Sequence, residues 1–193
     1  MSMFNKVLIA HAALAGIVMA DTPKDAGKQP AQPVKTEPPK APEPPAEVGA
    51  MAKNVVGNWK CTGTETAMDG STTKMTGTIT AKVDMDKWWI NDSFEGKGRM
   101  TFKMNAYSTY DAPSKKWRRV AIDNIGHQYV GTSDGIKDGK LVWNMDFMGA
   151  MGSGQFRDTV DPSDPKVGVK FSGQMSMDKG KSWKPVYDMI CKK

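Results

Sequence analysis

Residues 74–85 read KMTGTITAKVDM, and the order of residue types in this stretch decides the fold. If successive side chains point to opposite sides, as in a β-strand, then Met75, Gly77, Ile79, Ala81, Val83 and Met85 share one face. Lys74, Thr76, Thr78, Thr80, Lys82 and Asp84 take the other. A helical period would mix the two sets. The stretch therefore predicts a strand with one greasy and one wet face.

The same period recurs in RMTFKMNA (99–106), LVWNMDF (141–147) and KVGVKFSGQMSM (166–177). Between such runs stand residues suited to chain reversal: Met68-Asp69-Gly70, Asp111-Ala112-Pro113-Ser114, Asp134-Gly135, Asp138-Gly139, Asp161-Pro162 and Lys179-Gly180. No segment of the domain shows a helical stripe. Short strands joined by short turns, each with one apolar face, close on themselves so that no edge stays unpaired. The predicted fold is all-β: a closed antiparallel up-and-down β-barrel of about ten strands over residues 51–193. An outer-membrane barrel is excluded, because its outward face must be apolar across the bilayer and here that face carries Lys, Thr, Asn, Ser and Asp.

The front of the chain has another composition. Lys6 precedes the apolar run VLIAHAALAGIVM, and Val18 and Ala20 are small where a signal peptidase reads, so residues 1–20 are expected to be a cleaved secretory signal. The run is too short to span a bilayer, which takes about 20 apolar residues, so the mature chain is expected not to be transmembrane. Residues 21–50 hold eight of the twelve prolines and no aromatic residue, and read as a Pro-rich linker that cannot contribute to a core. Its charges nearly cancel, so the net charge of +6 belongs to the domain. The expected compartment is the periplasm or the exterior.

That compartment gives meaning to the two cysteines. Cys61 lies in the first strand and Cys191 in the last, which are neighbours in a closed meander, and an oxidising location then favours a disulfide across the seam.

Twelve methionines lie in the domain, and several share the inward face with aromatic residues. Met145, Met148 and Met151 repeat every third residue, a spacing that would gather soft sulfurs for copper(I) on a helix. On a strand it scatters them, so no metal site is assigned. As a flexible apolar lining, Met100, Phe102, Met104, Trp143, Met145, Phe171, Met175 and Tyr187 would wall an interior ligand site, with the Tyr187 hydroxyl as its polar handle. A medium-length acyl chain suits that chemistry. The rival reading is that the same side chains fill the barrel.

No catalytic constellation stands out. GTSDG at 131–135 matches G-x-S-x-G, but it falls at a β-turn and the domain's histidine, His127, precedes it, whereas a nucleophile elbow needs a strand-to-helix turn and a later histidine. His127 near Asp123 is a candidate base or haem ligand only in isolation. No cofactor is assigned. The basic run SKKWRRVA (114–121) divides over both faces of its strand, with Lys115, Trp117 and Arg119 on one side. In an exported protein such a run would meet an anionic envelope surface rather than nucleic acid.

Short motifs in order carry a resemblance. Gly57-Asn58-Trp59 on the first strand resembles the G-x-W that opens calycin-type barrels, and Lys87-Trp88-Trp89, Tyr110-Asp111 with Lys116-Trp117, and Asp138-Gly139-Lys140-Leu141 follow it. Together they are similar to the Domain of Unknown Function 1579 family, lipocalin-like bacterial barrels that often carry an export signal. The resemblance implies the fold and no catalytic residue. Members commonly close with an arginine in the last strand, where this chain has Cys191-Lys192.

The expected function is that of an exported, non-enzymatic barrel binding a small hydrophobic ligand in its interior. The alternatives are a structural or interaction protein of the envelope with a filled barrel, and metal or haem binding through methionine or His127.

Overall fold

The structure is a computed structural model that describes residues 40–193 apart from Met151, Pro165 and the side chain of Ser163. The expected signal at 1–20 and the linker up to residue 39 lie outside the described residues. In chain order the elements are α1 (Ala46–Val55), β1 (Gly57–Thr66), β2 (Thr72–Asp84), β3 (Trp89–Lys97), β4 (Thr101–Asp111), β5 (Lys116–Asp123), β6 (Gln128–Ser133), β7 (Ile136–Lys137), β8 (Lys140–Gly149), β9 (Gly152–Asp164), β10 (Gly168–Ser176) and β11 (Lys184–Lys192).

Every strand pairs antiparallel with its sequence neighbour, apart from the two-residue β7, which pairs only with β8. The sheet closes twice over. β6 pairs β8, from Gln128 opposite Met148 to Thr132 opposite Asn144, and β1 pairs β11. The result is a closed up-and-down barrel of ten strands, as the alternation implies. The inward set of KMTGTITAKVDM is the less exposed one as far as Ala81, with Ile79 opposite Trp59 and Gly77 opposite Cys61.

At the seam Cys61 stands directly opposite Cys191, with 4.1 Å between their Cα atoms and an S–S bond of 2.04 Å. Both are buried. The bond joins residues 130 apart. In the chain-entropy view a loop of that size restricts the unfolded chain by an amount on the order of 5 kcal/mol.

The expectation that no segment of the domain carries a helical stripe is corrected by α1. Val48, Met51, Ala52 and Val55 stand at i, i+3, i+4 and i+7, the stripe of an amphipathic helix. The boundary drawn at position 51 cut that stripe in two. Glu47 in the first turn and Lys53 in the last suit the helix dipole. Val48 and Ala52 are buried among Ile90, Trp117, Leu141, Trp143 and Met145, so the helix closes one part of the barrel core. The Trp59 indole N–H donates to the Val55 carbonyl at 3.0 Å, which satisfies one of the carbonyls a helix end leaves free. The Lys193 ammonium sits 4.7 Å from the centre of the Trp59 ring, so a lysine supplies the terminal cation on that tryptophan.

Two turns differ from expectation. Met85 is not a strand residue: it begins a turn in which Met85, Asp86 and Lys87 all take positive φ, and its side chain is exposed. Asp161-Pro162 lies inside β9 rather than at a reversal. The ladder to β10 is irregular there, so a proline without an N–H is tolerated, and the reversal follows with the Val167 N–H donating to the Asp164 carbonyl.

Candidate functional site

The eight residues expected to form one wall do not come together. Trp143 and Met145, neighbours on β8, belong to the cluster under α1. Phe102, Met104, Phe171 and Tyr187 pack instead around the disulfide with Phe94 and Met189. Met175 is half-buried on β10 opposite Phe156. Met100 lies in the turn between β3 and β4, half exposed, and is no part of the interior. Alternation told which face a residue takes, but not how far along the barrel it sits.

Beneath α1 lies a cavity of about 150 Å³. Met51 and Val55 of the helix, Trp59, Trp117, Trp143 and Phe171 form much of its apolar wall. Of the expected lining, Trp143 and Phe171 reach it. Its polar part was not foreseen: Asp92, Ser108, Arg119 and Asp158, from β3, β4, β5 and β9.

Arg119 is the centre of that group. It is buried, its guanidinium lies 5.2 Å from the centre of the Trp143 ring, and one terminal nitrogen donates to Asp92 Oδ2 at 2.6 Å. The other reaches Ser108 Oγ only at 3.5 Å. Its Nε–H is buried without an acceptor among the described residues. Burial by itself would push the guanidinium down, but Asp92 and then Asp158 outweigh it and hold the group above its ordinary value. Asp158 is buried too, and its Oδ1 accepts from the Tyr187 hydroxyl at 2.6 Å. Burial pushes the Asp158 carboxyl up, and Arg119 and the Tyr187 hydrogen bond only partly reverse this. Burial and the Asp158 charge in turn raise the Tyr187 hydroxyl well above the usual phenol range. The handle expected on Tyr187 is therefore engaged, and the carboxyl behind it faces the cavity.

These residues carried a signal. Arg119 shares its face with Trp117 and Ala121, Asp92 with Ile90 and Phe94, and Asp158 with Phe156 and Val160. Charges on an inward face are the exceptions that burial makes costly unless they are paired. The basic run is accordingly no single patch, since Arg119 points in while Lys116 is exposed and ion-paired with Asp134 at 3.4 Å.

His127 forms a second polar group. Its Nδ1 lies 3.0 Å from Asp123 Oδ2, which also accepts from the Tyr129 hydroxyl at 2.9 Å, while Oδ1 accepts from the backbone N–H groups of Ile125 and His127. Burial would raise the Asp123 carboxyl, but these hydrogen bonds more than offset it and hold the group below its ordinary range. An ionised carboxylate only accepts, so His127 Nδ1 carries the proton. Nε2 is buried without a partner among the described residues, and the imidazole packs edge-on to Phe147 with 5.9 Å between the ring centres. A Cβ added to Gly149 would meet the imidazole, which shows how tightly the β8 backbone covers it. A base or metal ligand needs access that this nitrogen lacks.

Met145 is buried inside the barrel, whereas Met148 is exposed on the outside; Met151 lies outside the described residues. The strand therefore separates the first two sulfurs of the expected scattering. Among the described residues no group of three His, Cys, Asp or Glu is placed to hold a metal ion. No helix among them is long and apolar enough to cross a membrane.

No family model matches the chain, and no curated protein does. Among solved structures it is similar to Rv2717c from M. tuberculosis, with a TM-score of 0.58 and 10% identity over 77% of this chain and 98% of that one. It is also similar to the S-type phycobiliprotein lyase CPES from Guillardia theta, with a TM-score of 0.50 and 12% identity over 75% of this chain and 89% of that one. At such identities the likeness speaks for architecture alone, that of a closed antiparallel barrel.

Proposed function

We propose that the protein is an exported, non-enzymatic barrel that holds one small, largely apolar molecule beneath α1. The observation that carries this reading is the cavity of about 150 Å³ walled by Trp59, Trp117, Trp143 and Phe171. Export is supported by the leader-like residues 1–20 and by the oxidised seam, which suits an oxidising compartment. The affinity to the Domain of Unknown Function 1579 barrels belongs to the same proposal and rests on the order of the short motifs from Gly57-Asn58-Trp59 onward.

The volume limits the guest. Drug-sized ligands occupy about 300 Å³ or more, whereas an apolar cavity of roughly 150 Å³ takes benzene. A single ring matches this volume more closely than a medium-length acyl chain does.

The test is a titration of the protein with toluene, followed by tryptophan fluorescence. Saturable change in the wild type is expected, and Ala81→Phe, which adds a ring to a buried residue of the cavity wall, should abolish it while the β-rich spectrum remains. A wild type that gives no saturable change overturns the reading. Function would then be sought on the outer face, where Val120, Ile122, Val130 and Met148 are exposed.

A further inference from the structure

Resting on the cavity reading above, we propose that the guest is an uncharged ring presenting a hydrogen-bond acceptor beside a donor, the edge of a lactam or cyclic amide, read by Arg119 and Asp158.

The first observation is an unused donor. Arg119 is nine-tenths buried, and its Nε–H has no acceptor although the residue lines the cavity. Leaving a buried charged N–H unmade costs the full desolvation of that group, so an acceptor from a guest would recover it. The second is an unused oxygen. Tyr187 donates to Asp158 Oδ1, and no described residue donates to Oδ2 in a carboxyl that also lines the cavity. A guest carbonyl can accept from Arg119 Nε–H while the adjacent N–H donates to Asp158 Oδ2.

Charge selects against ionic guests. The titratable groups facing the space are Arg119 from β5, Asp92 from β3 and Asp158 from β9, with Tyr187 of β11 behind the last; α1 contributes only the neutral amide of Asn54. Arg119 and Asp92 form a pair at 2.6 Å that compensates itself. Burial pushes the Asp158 carboxyl up, and Arg119 and the Tyr187 hydrogen bond partly reverse this. An anion would bring an uncompensated charge among apolar walls beside Asp92, and a cation would face the guanidinium over Trp143. A neutral amide edge meets neither penalty. The aromatic walls favour a flat body stacked or edge-on against them.

The experiment uses the full, oxidised chain and four single-ring probes at neutral pH: 2-pyridone, benzoate, benzylamine and toluene, each titrated by calorimetry and tryptophan fluorescence. 2-Pyridone should bind more tightly than each of the others by roughly tenfold, the effect of one or two net hydrogen bonds. The pair Asp158→Leu with Tyr187→Phe removes both partners of one hydrogen bond together and should cost 2-pyridone roughly tenfold while leaving toluene unchanged. If toluene binds as tightly as 2-pyridone, the cavity reading stands and this inference falls. Tighter binding of benzoate or benzylamine overturns it as well, as does a paired variant that binds 2-pyridone like the wild type. If none of the four probes binds, the cavity reading falls with it. The ranking on the unaltered protein decides the matter even if the paired variant does not fold.

Discussion

The Tyr187 hydroxyl on β11 reaches Asp158 Oδ1 on β9 at 2.6 Å, across the whole width of β10. The residue of β10 in register with both is Gly173. A Cβ there would meet the Tyr187 ring, so the absence of a side chain is what lets the phenol cross. Tyr187→Phe removes a hydrogen bond to a buried carboxyl and is expected to cost about 1–3 kcal/mol, measured by urea unfolding. The bond favours the ionised form of Asp158, whose folded pKa is raised. The difference between wild type and variant should therefore grow as pH rises through that titration and shrink in acid.

Removing the seam disulfide with Cys61→Ala and Cys191→Ala together should lower the melting temperature by roughly 10 °C in calorimetry, with an unchanged far-ultraviolet spectrum. The bond acts mainly on the unfolded chain, and the upper figure for a closed loop of this size is on the order of 5 kcal/mol.

The turn after β2 holds three consecutive non-glycine residues at positive φ: Met85 at 46°, Asp86 at 54° and Lys87 at 71°. Each side chain in that region costs about 1 kcal/mol or more relative to glycine. Asp86 is exposed, so Asp86→Gly loses no packing and is expected to raise stability by about 1 kcal/mol in chemical denaturation, less the extra freedom given to the unfolded chain.

The Asp123 carboxyl is shifted in the opposite direction to that of Asp158. Its folded pKa lies below the usual carboxylate value, so its contribution is present above pH 4, roughly, and is lost as pH falls through the folded value. Asp123→Asn should destabilise the protein at neutral pH, because His127, Tyr129 and Ile125 lose an ionised acceptor. In acid below that titration the two proteins should unfold alike. A constant difference across pH would show that size, not charge, sets the effect.

Much of the barrel was legible because a strand with one wet face writes its period into the chain, as residues 74–81 do. Cys61 and Cys191 were legible for a topological reason, since the first and last strands of a closed meander must meet. The helix was not, because Val48 falls on one side and Met51, Ala52 and Val55 on the other of a boundary set by proline content. Arg119 was hidden by its company: it stands in a run of lysines and arginines, and only its parity with Trp117 marks it as inward. The division of the interior into two clusters could not be read at all. Period two assigns a face, whereas depth depends on the stagger of strands around the ring.

The meeting of β1 and β11 also orders the way the chain can fold. Around the ring, each other neighbouring pair is joined by a short turn or, for β6 and β8, by the small β7 excursion, so it can zip up as a local hairpin. Only the seam must draw together residues 130 apart, and such distant closure is slow because its chain entropy is lost before contacts repay it. An oxidised chain that unfolds remains a loop tied at Cys61 and Cys191, and so refolds with its most distant pairing already made. The same adjacency of ends means the ring has no obligatory starting point. A chain opened at Asp138-Gly139, with its old ends joined by a linker, would keep every strand pairing but that of β7 with β8.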